Sequence, residues 1–270
     1  MKTTLIAPQR LADAFNQSVA KVDTRLQDFL KSGDSPSTAA LRKATKRLRT
    51  AYSVLPKNLR REPRVRRYVS VSRKVSKATG RVRDTDVIAA WTMQISEGKD
   101  KQSFINDLGR LRSSNLRPAL LKAKGMEKMK KPSVRRRDLE EFDHGERAEK
   151  VGKRLSKLVD KEFEEFLSTQ EVEVMHSLRK DSRRLRHLLE LFQNGKVPPL
   201  AARLKSIQDD LGAIRDHDLV IDYLRSRGRL TSTRSLIREE IAKRHARLED
   251  FVTRNRGQGH LIPVSTNEKA

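Results

Sequence analysis

An all-α fold follows from three features of the sequence. Apolar residues recur at spacings of three and four along most of the chain, alternating β-branched runs are missing, and proline- or glycine-containing breaks separate one stripe from the next. The first stripe is Leu11, Phe15, Val19, Val22, Leu26 and Phe29. "SGDSPS" (32–37) ends it, and "SPST" opens the next helix, with a proline in the first turn and hydroxyls available as caps. That helix carries Leu41, Leu48, Ala51 and Leu55, and Pro56 and Pro63 break the chain after it. Gly80, in "GRVRDTDV", reads as a further break, and "KKPS" (130–133) as another. Val151, Leu155, Leu158 and Phe166 mark a later, more acidic helix, with Glu162 the one polar interruption of its face. Leu178, Leu185, Leu188 and Phe192 follow, then "NGKVPP" (194–199), Gly212, "RGR" (227–229), and a last stripe of Ile237, Ile241, Leu248 and Phe251. The pattern predicts roughly ten helices joined by short loops.

Composition narrows the function. The 270 residues are 36% apolar and 35% charged, with a net charge of +25, which points to a polyanion as partner. The positive charge is clustered. Ser35–Trp91 holds 16 Lys or Arg against 3 acids and Arg110–Arg137 holds 11 against 1, whereas Asp138–Glu173 is acidic by 12 to 6. Absence of cysteine excludes disulfides and thiolate metal sites. No apolar run reaches the length of a membrane span, and "MKTTLIAP" has too short an apolar core for a signal peptide. A cytoplasmic protein is expected.

The chain repeats itself once. Leu41-Arg42-Lys43 aligns with Leu178-Arg179-Lys180, and Arg47-Leu48-Arg49 with Arg184-Leu185-Arg186, at an offset of 137. "GRVRDTDV" (80–87) aligns with "GAIRDHDL" (212–219) at an offset of 132. Two segments recurring in the same order imply two related helical halves, 8–130 and 138–256, within one unit spanning 1–270. The remainder, 257–270, is expected to be a flexible tail. The basic stretch 122–137 reads either as a mobile linker or as part of a binding surface.

At 100° per residue, Arg42, Lys46 and Arg49 share one face of their helix, as do Arg179, Arg183 and Arg186 on theirs. Lys43 with Arg47, and Lys180 with Arg184, form neighbouring strips. Like charges four apart cost an isolated helix roughly 0.2–0.5 kcal/mol per pair. Their retention is reasonable if an anion neutralises them, and arginine forks suit phosphate. The plain alternative is a solvated face whose arginines pair with acids on adjacent helices.

Nucleic acid is the usual partner at this charge. Aromatics, however, are only 4% of the chain, and single-strand readers need stacking platforms. No zinc spacing, Gly-rich phosphate loop, nucleophile elbow or His-Glu-x-x-His is present. Neither a catalytic function nor a cofactor is expected.

"MHSLRKDSRRLR" (175–186), taken with "IQDDLGAIRDHDLVIDYL" (207–224), resembles the CHAD family, the conserved histidine α-helical domain. The likeness lies in a histidine followed by Leu-Arg and a basic helix, then Leu-Gly-x-x-Arg-Asp-x-Asp. It implies two pseudo-symmetric antiparallel helical bundles whose basic helices line a shared channel. It also implies binding of inorganic polyphosphate, often on polyphosphate granules. Some members carry a fused triphosphate-tunnel domain, but no β-rich segment of that kind is seen here. The binding role carries over to Arg42, Lys43, Lys46, Arg47, Arg49, Arg179, Lys180, Arg183, Arg184 and Arg186. His176 is a further phosphate donor beside the strip. RNA or DNA is the alternative partner.

The first copy departs from the pattern, with Ala39 in place of His176 and Thr85 in place of His217. Asp84, Asp86, Asp216 and Asp218 are expected near helix starts, after breaks at Gly80 and Gly212. Stabilising the helix dipole, orienting binding arginines and holding a metal are three roles such carboxylates fill. The first two are preferred, for His217 as well, and no metal is assigned.

Overall fold

The computed structural model describes residues 8–96, 99–139, 144–191, 198–227, 231–257 and 261–262. Among these residues the chain is all-α, with no strand. The helices are α1 (Pro8–Ser32), α2 (Ser35–Val54), α3 (Lys57–Arg61), α4 (Pro63–Thr92), α5 (Lys99–Glu127), α6 (His144–Thr169), α7 (Val172–Leu191), α8 (Pro199–Ser226) and α9 (Thr231–Asn255), with a short 3-10 turn at Arg136–Asp138.

Sequential helices pack on one another. α1 lies on α2 and α5, and α4 lies between α2 and α5; α6, α7, α8 and α9 form a second series of neighbours. The two series meet through α2 with α6 and α7, and through α4 with α8. The apolar stripe of α1 is wholly inside, from Leu11 and Phe15 to Phe29, and Leu41, Leu48, Ala51 and Leu55 are fully buried beside it. Each such large side chain contributes about 1.5–3 kcal/mol by leaving water. One apolar cluster runs through both series. A smaller one, with Ile88, Phe104, Leu108, Val220, Tyr223 and Leu224, joins the ends of α4, α5 and α8.

Local chemistry departs from expectation in five places. Gly33, at φ +58°, ends α1, and the cap of α2 is the Asp34 carboxylate accepting from Ser37 N at 2.7 Å, rather than a hydroxyl. In α6 the inward positions are Leu155, Val159, Phe163 and Phe166, so Phe163 takes the core place next to Glu162. Burial and the neighbouring Asp181 raise the Glu162 carboxyl to about 7.

Gly80 and Gly212 break nothing: each lies inside a long helix, α4 and α8. The stretch 122–137 is no mobile linker. Its first part completes α5, with Ala123 and Met126 buried, and Asn16 then brackets Val134 with two hydrogen bonds of 2.8 and 3.0 Å. Nor is 257–270 free along its length. Leu261 is fully buried, its carbonyl accepts from Arg203, and Ile262 N donates to Asp160 at 2.9 Å. Phe192, 194–197 of the predicted break, and 228–229 lie outside the described residues.

Candidate anion-binding site

The apolar seams of α2 and α7 turn Leu41, Leu48, Leu178 and Leu185 into the core. The adjacent basic faces of the two helices are thereby set against each other. Arg42, Lys43, Lys46 and Arg49 from α2 meet Arg179, Arg183 and Arg186 from α7 in one cluster. Burial and the charges of Arg183, Arg42, Arg179 and Arg49 push the Lys46 amine down to about 7. Burial, with Arg179, Arg186 and Arg42 around it, lowers Arg183 to about 10. Arg42, Arg49 and Arg179 are lowered in the same sense, burial being the main cause. Lys43 is lowered too, by burial and then by Arg47 and Arg186.

The predicted residues divide into two groups. Arg47 donates to Glu190 at 2.6 Å and Arg186 lies 3.5 Å from the same carboxylate. Arg184 donates to Asp181 at 2.8 Å, and Lys180 lies 3.8 Å from it. These four have the ordinary pairing of a charged face. Arg42, Lys43, Lys46, Arg49, Arg179 and Arg183 make no ion pair with a carboxylate among the described residues. Arg42 is held by the backbone instead, donating to Ser76 O at 2.9 Å. Its Nη1 lies 2.6 Å from where a Cβ on Gly80 would stand, so the missing side chain is what lets the guanidinium lie on α4.

His176 is exposed at the edge of the cluster. Partial burial, then Arg215 and Arg179, hold its pKa below the usual imidazole value. His187, which the sequence did not single out, is buried beneath the cluster and pushed down to about 3 by burial and by Arg186.

The four aspartates lie inside helices, not at their starts, so a dipole role is excluded. Asp86 accepts from Arg112 Nε at 2.7 Å, tying α4 to α5, and Asp218 accepts from Arg244 Nε at 2.5 Å, tying α8 to α9. Asp84 and Asp216 sit nearer the α2–α7 cluster. Asp84 acts on both Arg42 and Arg179, and Asp216 on Arg179. Burial raises the Asp216 carboxyl, against the pull of Arg83, Arg179 and Arg215. His217 Nδ1–H donates to Glu240 at 2.6 Å, while its Nε2 accepts from Arg247 at 3.0 Å. Burial pulls the Glu240 carboxyl upward, but hydrogen bonds from His217, Trp91 and Lys243 hold it below its ordinary value. Among the described residues no three His, Asp or Glu side chains gather as a metal site.

Sequence reasoning missed Arg73, Arg83 and Arg215, which border the cluster beside Arg49, Asp216 and His176. A usable signal existed for two of them: Arg83 and Arg215 are the arginines of the repeated Arg-Asp pair, at equivalent positions.

The chain matches the family model described as CHAD domain over residues 13–225 and 149–258. A crystal structure of the CHAD domain from the plant Ricinus communis is similar in fold, with a TM-score of 0.69 and 13% identity over 94% of this chain and 92% of that one. No curated protein matches. No helix among the described residues is long and apolar enough to cross a membrane. The family match covers most of the sequence, and the chain belongs to the CHAD domain family.

Proposed function

We propose that this protein binds inorganic polyphosphate, without turning it over, in the groove where α2 meets α7. One observation carries the reading: six cations drawn from two helices are crowded together with no ion pair to a carboxylate among the described residues, and burial together with that crowding brings Lys46 to about 7. An anion entering the groove would relieve that repulsion, and the arginine forks would bond its phosphate oxygens. Arg186 and His176 contribute at the rim, and Asp84 and Asp216 orient Arg42 and Arg179. Lys180, Arg47 and Arg184 act as a paired outer ring.

A bare phosphate chain is favoured over nucleic acid because stacking surfaces are scarce. Of the described aromatic side chains only Tyr52 and Trp91 are more than marginally exposed. The Tyr52 hydroxyl donates to Arg60 O and the Trp91 ring packs near Phe104. On this reading the protein works in the cytoplasm, at polyphosphate granules.

The test is competition at physiological salt between labelled long-chain polyphosphate and tRNA, duplex DNA, single-stranded DNA or ATP at matched phosphate. Retention of polyphosphate is expected; ready displacement by RNA or DNA overturns the reading. Lys46→Glu with Arg183→Glu should weaken binding at least a hundred-fold, on the order of 3 kcal/mol. The same reversals at exposed Arg234 and Arg238 of α9 should change it only a few-fold.

A further inference from the structure

The exposed face of α4 is polycationic along its length. Arg66, Arg67, Arg73, Lys74, Lys77 and Arg81, with Ser70 among them, are all exposed and fall within about a third of the helix circumference. α4 has no acid before Asp84. None of these six cations makes an ion pair among the described residues. The stripe spans roughly 22 Å at 1.5 Å per residue.

It meets the α2–α7 cluster near its middle and a cleft at its start. Arg73 lies beside Arg49 of the α2–α7 cluster. Near the start of α4, Arg61, Arg66, Arg67, Ser70 and Lys74 line an open cleft of about 520 Å³. The corresponding face of α8, 132 residues on, is different. Lys205 stands for Arg73, Ser206 for Lys74, Asp209 for Lys77 and Ala213 for Arg81, and Lys205 is already bonded to Asp209 at 2.6 Å. The repeat therefore provides a basic stripe on one copy only.

Resting on the reading of the groove given above, we propose that a long polyphosphate chain leaves the groove past Arg49 and Arg73. It then runs along the exposed face of α4 to the cleft at Arg61. α4 is thus a second surface that short chains do not reach, and it makes affinity depend on chain length. A regular row of like charges held on a rigid helix matches a polymer of like charges along its length. Each added contact releases a counterion and steepens the salt dependence.

The test compares wild type with the Arg61→Gln, Arg66→Gln, Arg67→Gln, Lys74→Gln variant. These exposed changes keep good helix formers, and thermal melting checks the fold. Long-chain affinity at physiological salt should fall roughly ten- to hundred-fold, and the slope of log K against log salt should become shallower by about three. Short-chain affinity should stay unchanged, and should be lost in the Lys46→Glu, Arg183→Glu protein. If short chains bind the wild type and the quadruple variant keeps long-chain affinity and slope, the α4 track is wrong and the groove reading stands. Equal losses for short and long chains also overturn the track, because the stripe then acts only as a general field. If the variant loses duplex DNA but keeps long polyphosphate, the occupant of α4 is nucleic acid and the proposal fails. If the wild type binds no short chain, the groove reading fails and takes the track with it.

Discussion

Asp86 and Arg112 in the first copy of the repeat, and Asp218 and Arg244 in the second, make the same bond. Each arginine Nε donates to its aspartate Oδ1, at 2.7 and 2.5 Å, and both partners are displaced by the same 132 residues. The neighbouring ties follow suit. Asn115 donates to the Thr85 hydroxyl at 3.2 Å, and Arg247, its counterpart, donates to His217 at 3.0 Å. The copies part company where Glu240 stands in place of Leu108. Leu108 is buried in an apolar cluster, whereas Glu240 is buried against the histidine that only the second copy has. They differ again in charge, α4 being a basic stripe and α8 self-paired. Within these four helices the comparison separates two kinds of residue: those that clamp α4 to α5 and α8 to α9 recur, and the exposed charges of α4 do not return on α8.

Three perturbations would sharpen that contrast. The largest effect is expected at the shared clamp. Arg112→Met strands Asp86 in a site where it is 8% exposed and also removes the 2.7 Å bond to Gly33 O. It should cost about 3 kcal/mol in denaturant unfolding, as uncompensated buried charges do. Arg244→Met should cost clearly less, because the Asp218 side chain is more open to solvent, at 18% against 6%. Equal costs would show that burial does not distinguish the clamps.

The next effect concerns the groove. The Lys46 pKa is lowered from 10.5 to about 7 in the folded chain. The unfolded state therefore holds more protons between those values, and stability without ligand should rise with pH across that window. A bound polyanion raises the amine again, so binding takes up a proton. Polyphosphate affinity should then fall as pH rises above 7, by up to about tenfold per unit for one coupled proton. Lys46→Arg should flatten the profile, since arginine stays charged. A wild-type profile already flat from pH 7 to 9 would refute the coupling.

The smallest effect lies in the two glycines of the repeat. Nothing lies within 4 Å of a Cβ at Gly212, so Gly212→Ala should raise stability by up to about 1 kcal/mol through helix propensity alone. Gly80→Ala should gain less and should weaken polyphosphate binding a few-fold, because the new methyl displaces the Arg42 guanidinium from Ser76 O. Identical melting shifts and unchanged binding in both variants would show that Gly80 has no special part in seating Arg42.

Apolar periodicity was enough to place the helices and most of their inward faces. A period of 3.6 leaves Leu11, Phe15, Leu41, Leu48, Leu178 and Leu185 no alternative to the core, and burying them dominates the energy. The sequence also revealed the basic faces of α2 and α7, because like charges repeating every three or four residues are visible without any contact map, though the stripe on α4 went unread. Where local and tertiary effects compete, the sequence was less informative. Glycine reads as a break, yet Gly80 and Gly212 stay helical because their long helices are packed along their lengths. One residue of register decided whether Glu162 or Phe163 pointed inward. Which cations stay unpaired follows from how the helices pack as well as from local spacing. Asp181 takes up Arg184 and Glu190 takes up Arg186 within α7, at spacings of three and four, but Glu190 also takes up Arg47 from α2, while Lys46 and Arg183 make no ion pair among the described residues. Pairing depends on which side chains converge from distant segments, and for Arg47 and Glu190 that means a contact across 143 residues, which no local pattern encodes.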